Sequence, residues 1–112
     1  VPVEEYEKNL RAIVERLQKT GAKLVWRNTT PVPAGTGFRA EGDEVKYNDA
    51  AKRVMEEFKI PIDDNWTLVK KRPKLQRPRN VHFTREGSRA LAEQVAKVIR
   101  KELKSDSSAA DE

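Results

Sequence analysis

The residue best placed to do chemistry is the chain's one histidine, His82. It sits in Asn80-Val81-His82-Phe83-Thr84, after a short apolar segment and directly before an amphipathic pattern. Imidazole titrates near neutrality, so a histidine on such a loop can take up a proton and return it. A histidine that only anchors a loop by hydrogen bonds occupies the same kind of position. A general base also needs a neighbour that sets its tautomer. Asn80, two residues before it, and Asp63 and Asp64, at the end of the apolar segment, are the candidate orienting partners.

Composition removes other chemistries. The 112 residues include no cysteine, which excludes disulfides, thiolate metal sites and cysteine nucleophiles. One histidine excludes any site built on two or more imidazoles. Glu41-Gly42-Asp43-Glu44 and Asp63-Asp64 are rich in carboxylates but lack the regular spacing of a calcium loop. They read as charged loop and helix start, so neither a metal nor a cofactor is expected. A second chemistry lies in Lys70, Lys71, Arg72, Lys74, Arg77 and Arg79, a basic run that could neutralise phosphates on a nucleic acid or other anionic surface. Trp66 and Phe83 only flank it, so no stacking platform for bases is evident. A solvated loop explains the run equally well. The net charge of +5 adds little, because most charges lie on mixed-sign helix faces.

These residues need elements to position them. Tyr6, Leu10, Ile13, Val14 and Leu17 share one helical face, which predicts a helix over 3–19 ended by Gly21. Leu24-Val25-Trp26 is a continuous apolar core, which predicts a strand over Leu24–Asn28 covered on both faces, as in a parallel sheet. Pro31 and Pro33 stop it, and Ala34–Gly42 reads as loop. Asp43 is the expected cap of a second helix over 44–58, with Val45, Ala51, Val54, Met55 and Phe58 inward. Ile60-Pro61-Ile62 predicts a second strand whose carboxyl end carries Asp63 and Asp64. Trp66, Leu68 and Val69 suggest one more helical turn, and 70–80 reads as irregular. Thr84 is placed to cap a last helix over 85–103, with Leu91, Val95, Val98, Ile99 and Leu103 as its stripe. Residues 104–112 are polar and small, and disorder is expected there.

Helix, strand, helix, strand, helix is the order of an α/β chain with right-handed crossovers and a parallel sheet. Two parallel strands fall short of a usual sheet, and the first would keep an open edge. The expectation is therefore one portion of an open α/β sheet that needs its missing half or another chain. A start at Val1 rather than Met fits a chain cut from a longer one. No apolar run approaches the roughly 20 residues of a membrane span, and no membrane association is expected.

The string Asn80-Val81-His82-Phe83-Thr84-Arg85-Glu86-Gly87-Ser88-Arg89-Ala90-Leu91-Ala92 resembles the last sequence block of SGNH (GDSL-type) hydrolases. There a histidine is followed by an aromatic or aliphatic residue, Thr, two variable residues, Gly and a helix rich in Leu and Ala. Leu24–Asn28 running into Thr29-Thr30-Pro31-Val32-Pro33 is similar to the penultimate strand of that fold. Tyr47-Asn48, and then Ile60-Pro61-Ile62-Asp63-Asp64, are similar to its run towards the last strand. The resemblance spans about residues 3–103. It implies a flavodoxin-like sheet and a serine ester hydrolase acting on carbohydrate esters or other acyl esters. By that resemblance His82 is the catalytic base, taking the serine proton and later delivering it to the leaving alcohol.

Two departures shape the expectation. Such hydrolases carry an acid three residues before the histidine, where this chain has Arg79, so Asn80, Asp63 or Asp64 would have to orient His82. No Gly-Asp-Ser or Gly-x-Asn-Asp string occurs, and the serines are Ser88, Ser105, Ser107 and Ser108, in the last helix pattern and the tail. The expected molecule is the carboxy-terminal part of such an enzyme, holding the base, lacking the nucleophile and inactive alone. Its alternative is a non-catalytic interaction module or an anion-binding domain.

Overall fold

The computed structural model describes residues 1–35 and 41–110, with side chains through residue 104. Helix α1 covers Val3–Gln18, strand β1 Trp26–Arg27, helix α2 Glu44–Glu57, strand β2 Ile62–Asp63, helix α3 Asn65–Lys71 and helix α4 Arg85–Ala110. A single 3-10 turn, Pro73–Leu75, lies between α3 and α4. The element order matches the α/β expectation, and β1 and β2 are parallel, with Trp26 opposite Ile62 and Arg27 opposite Asp63. Both strands are shorter than the apolar runs suggested, and β2 begins at Ile62 because Pro61 has no N–H to donate.

The pleat sorts the two faces. Trp26 and Ile62 point to the side where Leu10, Val14, Ala51, Val54, Met55 and Ile60 form the core between α1 and α2. Arg27 and Asp63 point to the other side, where Gln94 of α4 donates to Asp63 Oδ1 at 2.7 Å. The sheet is thus a two-stranded layer between α1 with α2 and α4.

Several expectations change. Asp43 is itself in helical conformation and makes no side-chain capping bond; its carboxylate pairs with Lys46 at 3.2 Å. Val45 lies outside the core, 40% exposed, while Ala50 takes an inward place. Lys70 and Lys71, read as irregular, close α3. Helix α4 runs on to Ala110, past the expected end at residue 103; no Gly or Pro stands there to stop it. Residues 36–40, within the predicted loop, and 111–112 lie outside the described residues.

The predicted apolar stripes are only partly covered. Ile13 and Leu17 on α1 are 53% and 44% exposed, and Ile99 and Leu103 on α4 are 44% and 58% exposed. A helix stripe is buried only where a sheet lies beneath it, and here the sheet has two strands. Trp26 and Asn28 donate their backbone N–H groups to Pro61 and Asp63 of the β2 segment. In a parallel ladder alternate residues face opposite edges, so Val25 and Arg27 present theirs to the open side of β1.

Candidate active site

His82 is carried by a tight loop between the 3-10 turn and α4. Gln76 and Phe83 form an antiparallel bridge across the base of that loop. Arg77 N–H donates to the His82 carbonyl at 2.9 Å, and Asn80 N–H donates to the Arg77 carbonyl at 3.2 Å. The Asn80 side-chain oxygen accepts the His82 backbone N–H at 2.9 Å. Five backbone groups around the tip are thereby satisfied locally, and the His82 side chain is exposed. Arg79 adopts a left-handed φ of 53° to close the turn. Its side-chain stem lies over Gly35, where an added Cβ would come within 3.0 Å of the Arg79 Cγ.

The loop is tied to the carboxyl end of the sheet. Gln76 is buried, and its amide donates to the Pro31 carbonyl at 2.9 Å, on the segment leaving β1. Asn28 ties the two strand ends together. Its side-chain oxygen accepts the Trp66 N–H at 2.9 Å, and its amide donates to Asp64 at 2.8 Å.

The start of α4 is built around one carbonyl. Leu75 O accepts both the Thr84 N–H at 2.9 Å and the Thr84 hydroxyl at 3.1 Å. Thr84 Oγ1 in turn accepts the Gly87 N–H at 3.0 Å, so Thr84 caps the helix as its position suggested. A Cβ on Gly87 would stand 2.0 Å from that same Leu75 oxygen. The glycine three residues after Thr84 is therefore a close-approach position, and the His-Phe-Thr-x-x-Gly string describes a packed joint.

The structure brings Asn80 to His82, but through the backbone N–H and not the ring. Asp63 and Asp64 are used elsewhere. Asp63 is fully buried; one oxygen accepts from Gln94, and the other has no hydrogen-bond partner and faces Arg27 Nε at 3.5 Å. Asp64 is the cap of α3, accepting the Thr67 N–H at 3.0 Å and the Thr67 hydroxyl at 2.7 Å. Among the described residues no hydrogen bond or ion pair joins either carboxylate to the His82 ring. An acid at the end of a strand can serve the next helix at short range, and that local bond is the one formed here. Gln76 and Leu75, which help to hold the loop, carried no chemical signal of their own in the sequence. Only the glycine of the string hinted at one. Among the described residues no cluster of His, Cys, Asp and Glu could hold a metal ion.

Asp64 also gives the fold a pH dependence. Burial pushes its carboxyl upward, but hydrogen bonds from Thr67 and Asn28 and the nearby Lys52 charge outweigh burial and hold it below the usual 3.8. A carboxyl depressed on folding contributes stability above its unfolded value and loses it as pH falls through the folded one. Asp64→Asn keeps a capping oxygen and removes the charge. In urea titrations the wild type should exceed this variant in stability above pH 3.8, and the gap should narrow below it.

No family profile matches the chain. A GDSL esterase/lipase of Arabidopsis thaliana is 29% identical over 120 aligned residues, which take in 91% of this chain and 50% of that protein. The esterase domain of an ORF1 protein from a zebrafish retrotransposon has a similar structure, with a TM-score of 0.73 and 22% identity. The match covers 90% of this chain and 61% of that one. The chain thus spans about half the length of the curated relative. Its fold is the α/β fold of an esterase domain, present in part. The plant relative agrees with the resemblance of the block around His82 to SGNH (GDSL-type) hydrolases.

Proposed function

We propose that this chain is the base-bearing, carboxy-terminal part of an SGNH-type ester hydrolase. The observation that carries the reading is the His82 loop. It holds an exposed imidazole on a hydrogen-bonded tip, tied by Gln76 to the segment leaving the carboxyl end of β1. Ligands of open α/β sheets bind at those strand ends. In the complete enzyme His82 accepts the proton of a serine hydroxyl as its oxygen bonds to the acyl carbon. It then returns that proton to the departing alcohol. A water, deprotonated by the same ring, releases the acid and restores the serine. The serine and the oxyanion donors come from residues outside this sequence, and so does the acid that orients the ring. The substrate is an acyl ester, of a carbohydrate or of another alcohol.

The missing residues also complete the sheet. Further strands pairing with the open edge of β1 would lie under Ile13 and Leu17 on one face and Ile99 and Leu103 on the other. Ile13→Ser and Ile99→Ser should leave the chain alone within about 0.5 kcal/mol of wild type. In the complete protein each should cost about 2 kcal/mol, because a large apolar side chain is then buried. Equal effects in both settings would refute a covering sheet.

Activity tests the reading directly. The 112-residue chain should not turn over p-nitrophenyl acetate above buffer, whereas the protein that includes it and the nucleophile-bearing half should. A fluorophosphonate should label a serine outside these residues. Turnover by the chain alone, or labelling of Ser88, would place the nucleophile inside it and overturn the proposal.

A further inference from the structure

A groove of about 410 Å³ opens beside the carboxyl ends of β1 and β2, on the face covered by α2. Its apolar lining is Trp26, Trp66, Val45 and Ile62. No residue of the His82 loop contributes to it. Its size falls within the range of small-molecule sites.

The polar groups around it are of two kinds. Asn28 and Asn48 are held in place: Asn28 by Trp66 and Asp64, and Asn48 by Thr29, whose N–H and carbonyl it binds at 3.0 and 2.8 Å. Each amide uses one of its two side-chain N–H groups in those bonds and keeps the other. Asp49 and Lys52, on the exposed side of α2, have no hydrogen bond or ion pair among the described residues. The Lys52 charge does help to hold Asp64 ionised. The groove is therefore lined by two held amides, one carboxylate and one ammonium without a hydrogen bond or ion pair among the described residues, and two indoles, of which Trp26 also packs on the core and Trp66 carries Lys70 over its ring at 5.7 Å.

We infer that this groove binds a neutral pyranose unit, independently of any ester chemistry at His82. A pyranose presents a face of C–H groups, whose slight positive charge suits the electron-rich face of an indole. Its rim carries neighbouring hydroxyls, each both donor and acceptor. A carboxylate and an ammonium one helical turn apart can bind such a pair, the first accepting and the second donating, while the amides donate to further hydroxyls. An acyl chain would leave Asp49 and Lys52 without partners at its border. An anion would face Asp49 and Asp64, and a cation Lys52.

Both tryptophans of the chain line the groove, so their emission reads its occupancy. Titration of the chain with cellobiose and with N,N′-diacetylchitobiose should give a saturable change in tryptophan fluorescence for at least one of them. Asp49→Ala and Lys52→Ala, both at exposed positions, should each weaken that binding by about tenfold, with circular dichroism unchanged. 1-Hexanol should give no saturable change. Absence of a saturable response to either disaccharide would overturn the inference. So would binding that is unaffected by both substitutions, or saturation by hexanol as readily as by sugar. Loss of ester turnover in His82 variants leaves these outcomes unchanged, so the two readings fail separately.

Discussion

Gly87→Ala is expected to lower the stability of this chain by about 3 kcal/mol, at the upper end of what overpacking costs. Two effects of opposite sign meet at this position. In an unobstructed helix interior, alanine in place of glycine stabilises by roughly 1 kcal/mol. Here the new methyl would stand 2.0 Å from the Leu75 carbonyl oxygen, far inside van der Waals contact. That oxygen belongs to backbone, and it is pinned by the Thr84 N–H and hydroxyl. Neither side can give way without breaking the cap of α4 and shifting the loop that carries His82. The steric term therefore wins, and the melting temperature should fall by ~12–24 °C, at ~4–8 °C per kcal/mol for a domain of this size. A thermal melt followed by circular dichroism decides it. An unchanged or higher midpoint would mean that α4 and the Leu75 turn are not in contact. Ser88→Ala, one residue on and exposed, serves as the control and should change stability by less than about 0.5 kcal/mol.

His82→Ala should have the opposite signature. In the complete enzyme it should lower kcat for a chromogenic short-chain ester by about 10⁴-fold, the upper range of what a positioned general base supplies. Stability should hold within about 0.5 kcal/mol, because the ring is exposed and the loop is held by the backbone and by Asn80. The two readouts together separate a base from a loop anchor. A loss of activity accompanied by unfolding would assign His82 to the loop's structure, and turnover near wild type would remove it from catalysis. Asn80→Ala should fall between these cases. It removes the acceptor of the His82 N–H, which should cost about 1 kcal/mol of loop order. The ring would remain, so kcat should fall less than in His82→Ala.

Much of the architecture was legible in local pattern. The stripes of α1, α2 and α4 follow the helical period, Thr84 was readable as a cap, and the block around His82 named a class of protein. Short-range chemistry decided these features, and the sequence displays short-range chemistry directly. The orienting partners were harder to read. Asp63, Asp64 and Asn80 all stood at sensible distances along the chain, yet Asp64 capped α3, Asp63 turned to Gln94, and Asn80 took a backbone N–H. A polar side chain makes the nearest good bond, and which bond is nearest depends on folding.

By itself, the order of residues determined the helices, the parallel strand pair, the place of the one histidine and the absence of a Gly-Asp-Ser nucleophile string. Only the folded chain decided which apolar faces find cover and where each carboxylate spends its bonds. It alone showed that Gly87 must lack a side chain. Helical period and capping act over a few neighbouring residues, whereas burial and close approach join residues such as Leu75 and Gly87, or Asp63 and Gln94, that meet only once the chain has closed.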